Sequence, residues 1–244
     1  MISKRNGINM VAVKKKNRGS ILKLIYHSEG ISRKEIAERL NLTPAAITLI
    51  ATELIQEGLL TESPVELNSN RKGRKEINLK IYNKDFVAVG VYISSNKFRI
   101  VCVDLDKSIL FEDTIFTADC RKDSRKILDK ICSIIEHHLT YYDVNRTRKL
   151  LGVGVSVTGI VDTLQGISIN SYNVWEDNVP VVEYLQEKLK TTVTLTNNIC
   201  ALAHGESFFS LLENPDNLLF IKYGPGGGAA RVSNQDTLNI NDFN

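Results

Sequence analysis

Between Ile31 and Gln56, apolar positions recur at helical spacing in two short runs separated by a turn. In the first run Ile36, Ala37 and Leu40 share one face. Ser32 and Glu35 form a capping box that starts it, the hydroxyl and the carboxylate each satisfying an amide the helix leaves unpaired. The run stops at Asn41, and Leu42 plugs the turn. Thr43 then caps a second helix, with Pro44 at its first position, where a missing N–H costs nothing. Within it Ile47, Ile50, Ala51, Leu54 and Ile55 fall at i, i+3, i+4, i+7 and i+8, a buried stripe. Ala45, Thr48, Leu49 and Thr52 occupy the opposite face. Upstream, Ile21, Leu22, Leu24 and Ile25 predict a helix from Asn17 to about Ser28, preceded by a flexible basic arm over residues 1–16. Downstream, Gly58 ends the helical pattern and Leu59 to Glu62 reads as a short strand. Ile77, Leu79 and Ile81 then alternate with Glu76, Asn78 and Lys80, which predicts a half-buried second strand.

From Tyr82 to Asp85 the pattern changes, so residues 17–82 form one expected domain and 83–244 another. FVAVGVYI (86–93), FRIVCVDL (98–105) and 109–116 are three strands, with a turn at Ser94, Ser95, Asn96 and Lys97. Ile127, Leu128, Ile131, Ile134, Ile135 and His138 mark a helix between Lys122 and Tyr142. Leu150 to Val157 is a strand, Val179 to Leu189 a helix and Val193 to Leu195 a strand. A helix over about Asn198 to Leu212 follows, then a strand over Leu218 to Tyr223 that runs into a glycine-rich turn at 224–228. Three strands followed by alternating helices and strands indicate an α/β sheet domain.

Two short capped helices joined by a tight turn match a helix-turn-helix, whose second helix enters a DNA major groove. A small helical bundle shares that pattern, and charge separates the two. The 244 residues carry a net charge of +3. Residues 1–80 hold 15 Lys and Arg against 8 acidic residues, the remainder 16 against 20. A basic first third on an acidic body suits a DNA-binding head. Its basic segments are Lys14 to Arg18 and Arg71 to Lys75. With strand, basic loop and strand after three helices, the head is a winged helix-turn-helix. Its candidate DNA contacts are Ser32, Arg33, Thr43, Pro44, Ala45, Thr48, Leu49 and Thr52, with Arg71, Lys72, Gly73, Arg74 and Lys75 on the wing.

The remaining chemistry is sparse. Cys102, Cys120, Cys132 and Cys200 are scattered without metal-ligand spacing and read as buried free thiols of a reducing cytoplasm. His137 and His138 are adjacent, so they point apart and read as helix-surface histidines. No apolar run approaches the roughly 20 residues of a membrane span, and no apolar signal core opens the chain. The expectation is a cytoplasmic protein without a metal or cofactor.

Four segments resemble the ROK family, and most closely its NagC/XylR-type transcriptional regulators. They are NRGSILKLIYHSEGISRKEIAERLNLTPAAITLIATELIQEGLL with GRKEINLKI, LLGVGVSVTGIVDTLQGISINSYNVWEDNVPVVEYLQEKL, TNNICALAHGE, and NLLFIKYGPGGGAARV. The resemblance spans roughly residues 17–235. It implies a winged head followed by the N-terminal lobe of an actin-like (ribonuclease H-like) sugar-kinase domain. It also implies that sugar contacts fall on Gly159, Asn170, Asn173, Asn197 and Asn198. Where the family's kinases place a phosphate-binding Asp-x-Gly-Gly-Thr hairpin, this chain has Tyr92, Ser94, Ser95 and Asn96. Where they place the catalytic Asp, it has Asn198, whose amide lacks the basicity to take a sugar hydroxyl proton. A plain helix cap is the alternative role for Asn198.

Longer relatives, by this resemblance, continue into a second lobe with a Glu-x-x-His sugar contact and a cysteine-rich zinc site. The chain stops at Asn244 before either, so half of the effector pocket and most of the dimer surface are expected to be missing. The expectation is therefore a non-enzymatic repressor of sugar genes, xylose among the candidates, with operator DNA, a sugar effector and a second copy of itself as partners. The competing expectations are an ATP-dependent sugar kinase and a DNA-binding fragment without inducer control.

Overall fold

The computed structural model describes residues 10–28, 30–64, 77–82, 85–106, 108–117, 123–209, 217–223, 227–233 and 236–239. Its contacts divide the chain into two units, Met1–Asn83 and Lys84–Asn244.

The first unit contains α1 (Met10–Tyr26), β1 (Ile31–Ser32), α2 (Arg33–Leu40), α3 (Pro44–Gln56), β2 (Leu60–Pro64) and β3 (Ile77–Ile81). Ile21, Ile25, Ile36, Ile47 and Leu54 are buried against Leu60 and Leu79. The small sheet is antiparallel, in the order β1-β3-β2. Leu60 pairs with Ile81 and Pro64 with Ile77, so β2 and β3 form a hairpin across residues 65–76. Three helices and this hairpin constitute a winged helix-turn-helix.

Two differences from the sequence expectation matter. The first helix begins at Met10 rather than Asn17, so Lys14, Lys15 and Lys16 belong to α1 and not to a loose arm. A two-residue strand, β1, stands immediately before α2. Backbone conformation explains how α3 stops: Gly58 has φ 77°, and the Leu59 amide donates to the Leu54 carbonyl at 2.9 Å. That αL glycine and six-to-one bond are a Schellman-type stop.

The second unit is built on a five-stranded mixed sheet. Its hairpin strands are β4 (Phe86–Ile93), β5 (Lys97–Asp104) and β6 (Ile109–Phe116), paired antiparallel. β7 (Lys149–Val157) lies parallel to β4, and β10 (Val193–Asn197) parallel to β7. The sheet order is β10-β7-β4-β5-β6. Between β6 and β7 run α4 (Ser124–Tyr141) and α5 (Val144–Thr147). Between β7 and β10 come β8 (Ile160–Asp162), β9 (Ile167–Asn170) and α6 (Val181–Leu189). Val89, Val91, Val153, Val155 and Leu195 from the strands meet Ile127, Leu128, Ile131 and Leu185 from the helices in one core. α7 (Asn198–Phe209) follows β10 directly and packs Ile199, Cys200 and Ala203 on Ala230 and Val232. Those last two lie on β12 (Gly228–Ser233), the middle strand between β11 (Asn217–Lys222) and β13 (Asp236–Asn239).

His138 departs from the expected surface role. Its Nε2 lies 2.5 Å from Asp113 Oδ2, and its ring stacks on Phe111 with centroids 4.2 Å apart. Helical spacing places His138 toward the core, but only the fold supplies β6 as its neighbour. Cys102, Cys132 and Cys200 are buried, as expected, and desolvation raises the first two to about 11. Cys120 lies outside the described residues.

Candidate nucleic-acid interface and sugar-side loop

The caps at both helix starts have the geometry their residues predict. Ser32 Oγ accepts from the Glu35 amide at 3.3 Å, and the Ser32 amide donates to Glu35 Oε2 at 3.1 Å. Hydrogen bonds from the Ser32 amide and hydroxyl hold the Glu35 carboxyl below its ordinary value. The depressed value means the box stabilises the head above the ordinary carboxylate range and is lost as pH falls through its own titration. Thr43 Oγ1 accepts from the Ala46 amide at 3.2 Å, with Pro44 opening α3.

These caps also sort the candidate DNA contacts. Thr43, Pro44, Ala45, Thr48, Leu49 and Thr52 are exposed along α3 and its cap. Leu49 retains 58% of its surface, leaving its side chain open to an apolar contact. Ser32, by contrast, is buried, with its hydroxyl engaged in the capping box, so it stands apart from that surface. Arg33 is tied to Glu62 of β2 at 2.6 Å. Arg71, Lys72, Gly73, Arg74 and Lys75 lie outside the described residues, within the connection between β2 and β3.

Hydroxyl orientation refines the surface. Thr48 Oγ1 donates to the Pro44 carbonyl and Thr52 Oγ1 to the Thr48 carbonyl, each at 2.8 Å. Both hydroxyl protons are committed within the helix. The outward lone pairs therefore suit a donor such as an exocyclic base amine better than a phosphate oxygen, which only accepts.

In the second unit Gly159, Asn197 and Asn198 come together where β7 and β10 end, with the Asn170 backbone against Gly159. Gly159, at φ 109°, turns the chain out of β7. Any Cβ there would lie 1.9 Å from the Asn170 carbonyl oxygen, so only glycine permits this approach. Asn197 Nδ2 donates to the Gly159 carbonyl, and Asn197 Oδ1 accepts from the Ile199 amide at 2.7 Å. Asn198 Nδ2 donates to Thr158 Oγ1 at 3.3 Å. The helix-capping role thus falls to Asn197 and not to Asn198. Both asparagines are buried.

Asn170 and Asn173 open onto a concavity of about 460 Å³ that Asn197 and Asn198 do not line. Its remaining walls are Tyr172, Trp175, Glu176 and Asp177. Asn170 is held at both ends of its amide, donating to Asp177 Oδ1 and accepting from the Tyr172 amide, each at 3.1 Å. Trp175 is buried, its Nε1 donating to Ser168 Oγ at 3.0 Å. Glu176 accepts from the Ser124 hydroxyl and from the Ser124 amide at the start of α4. Burial pushes its carboxyl up, yet hydrogen bonds from Ser124 and from its own backbone amide together hold it below its ordinary value. Tyr172, Glu176 and Asp177 were not among the sequence candidates; the run of acid after tryptophan was the available signal.

The first turn of the sheet is closed by side chains. Ser94 Oγ donates to the Lys97 carbonyl at 2.9 Å and lies 3.2 Å from Asn96 Oδ1. This turn carries Ser94, Ser95 and Asn96 where a phosphate cradle carries glycines.

The ROK family model matches residues 88–239, most of the second unit. The chain belongs to the ROK family. A MarR family model matches residues 16–68, the winged helix-turn-helix ahead of the ROK unit. Among similar proteins is the DNA-binding transcriptional dual regulator NagC of Escherichia coli strain K12, 27% identical over 93% of this chain and 54% of the regulator. The xylose repressor of Caldicellulosiruptor bescii is also 27% identical, over 92% of this chain and 55% of the repressor. The chain spans about half the length of the curated relatives it matches. Among solved structures, a ROK family transcriptional regulator described as a homologue of E. coli MLC superposes with TM-score 0.77 at 24% identity, covering 93% of this chain and 58% of that one. A ROK family glucokinase from Streptomyces griseus, in complex with glucose and AMPPNP, superposes with TM-score 0.53 at 21% identity over 62% of this chain and 46% of its own. These superpositions establish the head's fold and the actin-like ROK fold behind it. Among the described residues no helix is long and apolar enough to cross a membrane.

Proposed function

We propose that this ROK protein is a cytoplasmic, sequence-specific DNA-binding repressor of sugar-utilisation genes whose ROK unit senses a sugar without phosphorylating it. The observation that carries the proposal is α3. It is capped at Thr43 with Pro44 at its first position, anchored by buried Ile47, Ile50, Ala51 and Leu54, and presents Ala45, Thr48, Leu49 and Thr52 outward. That surface fits a major groove: small residues admit close approach, Thr48 accepts from a base amine, and Leu49 meets a thymine methyl. Arg71 to Lys75, on the connection between β2 and β3, supply the phosphate contacts. The regulator names of two similar proteins, NagC and a xylose repressor, support this role.

The effector reading rests on Asn170 and Asn173, whose amides offer donors and acceptors to sugar hydroxyls beside Tyr172 and Asp177. Trp175 is the chain's only tryptophan and lines that concavity, which makes it a built-in reporter. Asn198 in place of a carboxylate base, and Ser94, Ser95 and Asn96 in place of a glycine-rich turn, both argue against phosphoryl transfer.

The test is an electrophoretic shift with DNA from upstream of the gene and of neighbouring sugar operons, with unrelated competitor and a sugar panel. Specific retardation, two chains per duplex, and release by a sugar that also changes Trp175 emission are expected. Thr48→Ala should relax preference at particular base pairs by about 1–3 kcal/mol. Arg74→Ala should instead weaken all duplexes alike and flatten the salt dependence. Absence of any specific retardation refutes the reading. The rival kinase reading predicts coupled ATP turnover with a sugar; turnover that Asn198→Ala abolishes would replace the sensor reading.

A further inference from the structure

α3 and its C-cap carry two carboxylates, Glu53 and Glu57, and no cation at all. For a helix read as entering DNA this is an electrostatic handicap, because both acids continue the exposed side one and two turns beyond Leu49. The structure supplies the remedy from α1. Lys14 Nζ lies 2.6 Å from Glu53 Oε1. Arg18 grips Glu57 in a fork, Nη1 to Oε1 at 3.1 Å and Nη2 to Oε2 at 2.6 Å, and its Nη1 also lies 3.6 Å from Glu53 Oε2. Both helices present their charges at i and i+4, so two cations of one face two anions of the other in register. The hydrogen bond to Glu57 raises the Arg18 guanidinium above its ordinary value, and the fork geometry is the bidentate form that lysine cannot reproduce.

We infer that Arg18 is a positioning residue for DNA binding that acts through Glu57 and Glu53, neutralising the carboxylates of the recognition helix and fixing its angle to α1. This rests on the DNA-binding reading proposed above. It assigns Arg18, and Lys14 beside it, a role different from phosphate contact, which the sequence's basic run suggests. A guanidinium locked to a carboxylate has spent its fork, and it serves the duplex by removing repulsion rather than by adding attraction.

The discriminating experiment uses the full chain and the best-retained duplex recovered from a randomised pool by the wild-type protein. Affinity is measured at low and moderate salt for wild type, Arg18→Ala, Arg18→Lys and the double variant Arg18→Ala/Glu57→Gln, with the thermal midpoint of each. Arg18→Ala should bind about three- to tenfold more weakly at low salt, the size expected of one uncompensated carboxylate facing phosphates. The double variant, which restores the charge balance without the guanidinium, should return to within about twofold of wild type, and Arg18→Lys should fall between. If the double variant remains as weak as Arg18→Ala, the guanidinium itself contacts DNA and the inference fails. Unchanged affinity in Arg18→Ala also overturns it. If affinity merely tracks thermal midpoint across the set, the residue is structural only, and the inference again fails. Recovery of no duplex from the pool refutes instead the DNA-binding reading on which it rests.

Discussion

Replacing Gly159 by alanine is expected to destabilise the ROK unit by about 3–5 kcal/mol, the sum of a strained backbone and an overpacked contact. Two independent costs meet at this position. The φ of 109° is one that a side-chain-bearing residue rarely adopts, and the new Cβ would sit 1.9 Å from the Asn170 carbonyl oxygen. Neither can relax cheaply, because the obstacle is backbone: Ile160 pairs with Asn170 in the β8–β9 hairpin, and Asn197 donates to the carbonyl of Gly159 itself. Relief would require β9 to move away from β7, carrying Asn170, Tyr172 and the Trp175 loop with it. Urea unfolding followed by Trp175 emission measures the loss directly. A change below about 1 kcal/mol, the ordinary range for a surface substitution, would show that the turn is looser than its geometry implies.

The contrast between what the chain discloses and what it conceals is sharp at this same loop. Gly159 and Asn170 were legible as a site only through family resemblance. Their mutual approach was not, because β8 and β9 have three and four residues, too few for alternation to register. The turn between them does carry a local signal. Asp162 Oδ1 accepts from the Leu164 and Gln165 amides, and Gly166 sits at φ 73°, the Asp-x-x-x-Gly of a tight turn. Long elements were legible for the opposite reason: the stripe of α3 and the alternation of β4 each repeat often enough to fix a period. α1 was read short because Met10 and Val11 are 75% and 77% exposed and so contribute no inner stripe. Lys14, part of the expected loose arm, gains its meaning from Glu53, some forty positions away. Tertiary partners of this kind have no local signature. The same holds for His138, whose place on a helix was evident but whose partner Asp113 lies on β6.

The second large effect belongs to the head. Leu54→Ala should cost about 2–5 kcal/mol, the range for removing a fully buried leucine from a core that cannot collapse around the gap. Leu54 is wholly buried among α1, α2 and the β2–β3 hairpin, and its carbonyl accepts from the Leu59 amide that ends α3. A small unit has little stability to spare, since domains of this size bury a modest fraction of their chain. The loss should therefore abolish specific retardation of DNA near physiological temperature while leaving the outward residues Thr48 and Leu49 chemically intact. Trp175 lies in the other unit, so its unfolding midpoint should stay within experimental error of wild type while the helical far-ultraviolet signal loses its first-unit component early. A Trp175 midpoint that falls in step with DNA binding would show the two units to unfold as one cooperative body. Preserved DNA binding with an unshifted far-ultraviolet transition would mean that the core under α3 is not what holds the reading surface in place.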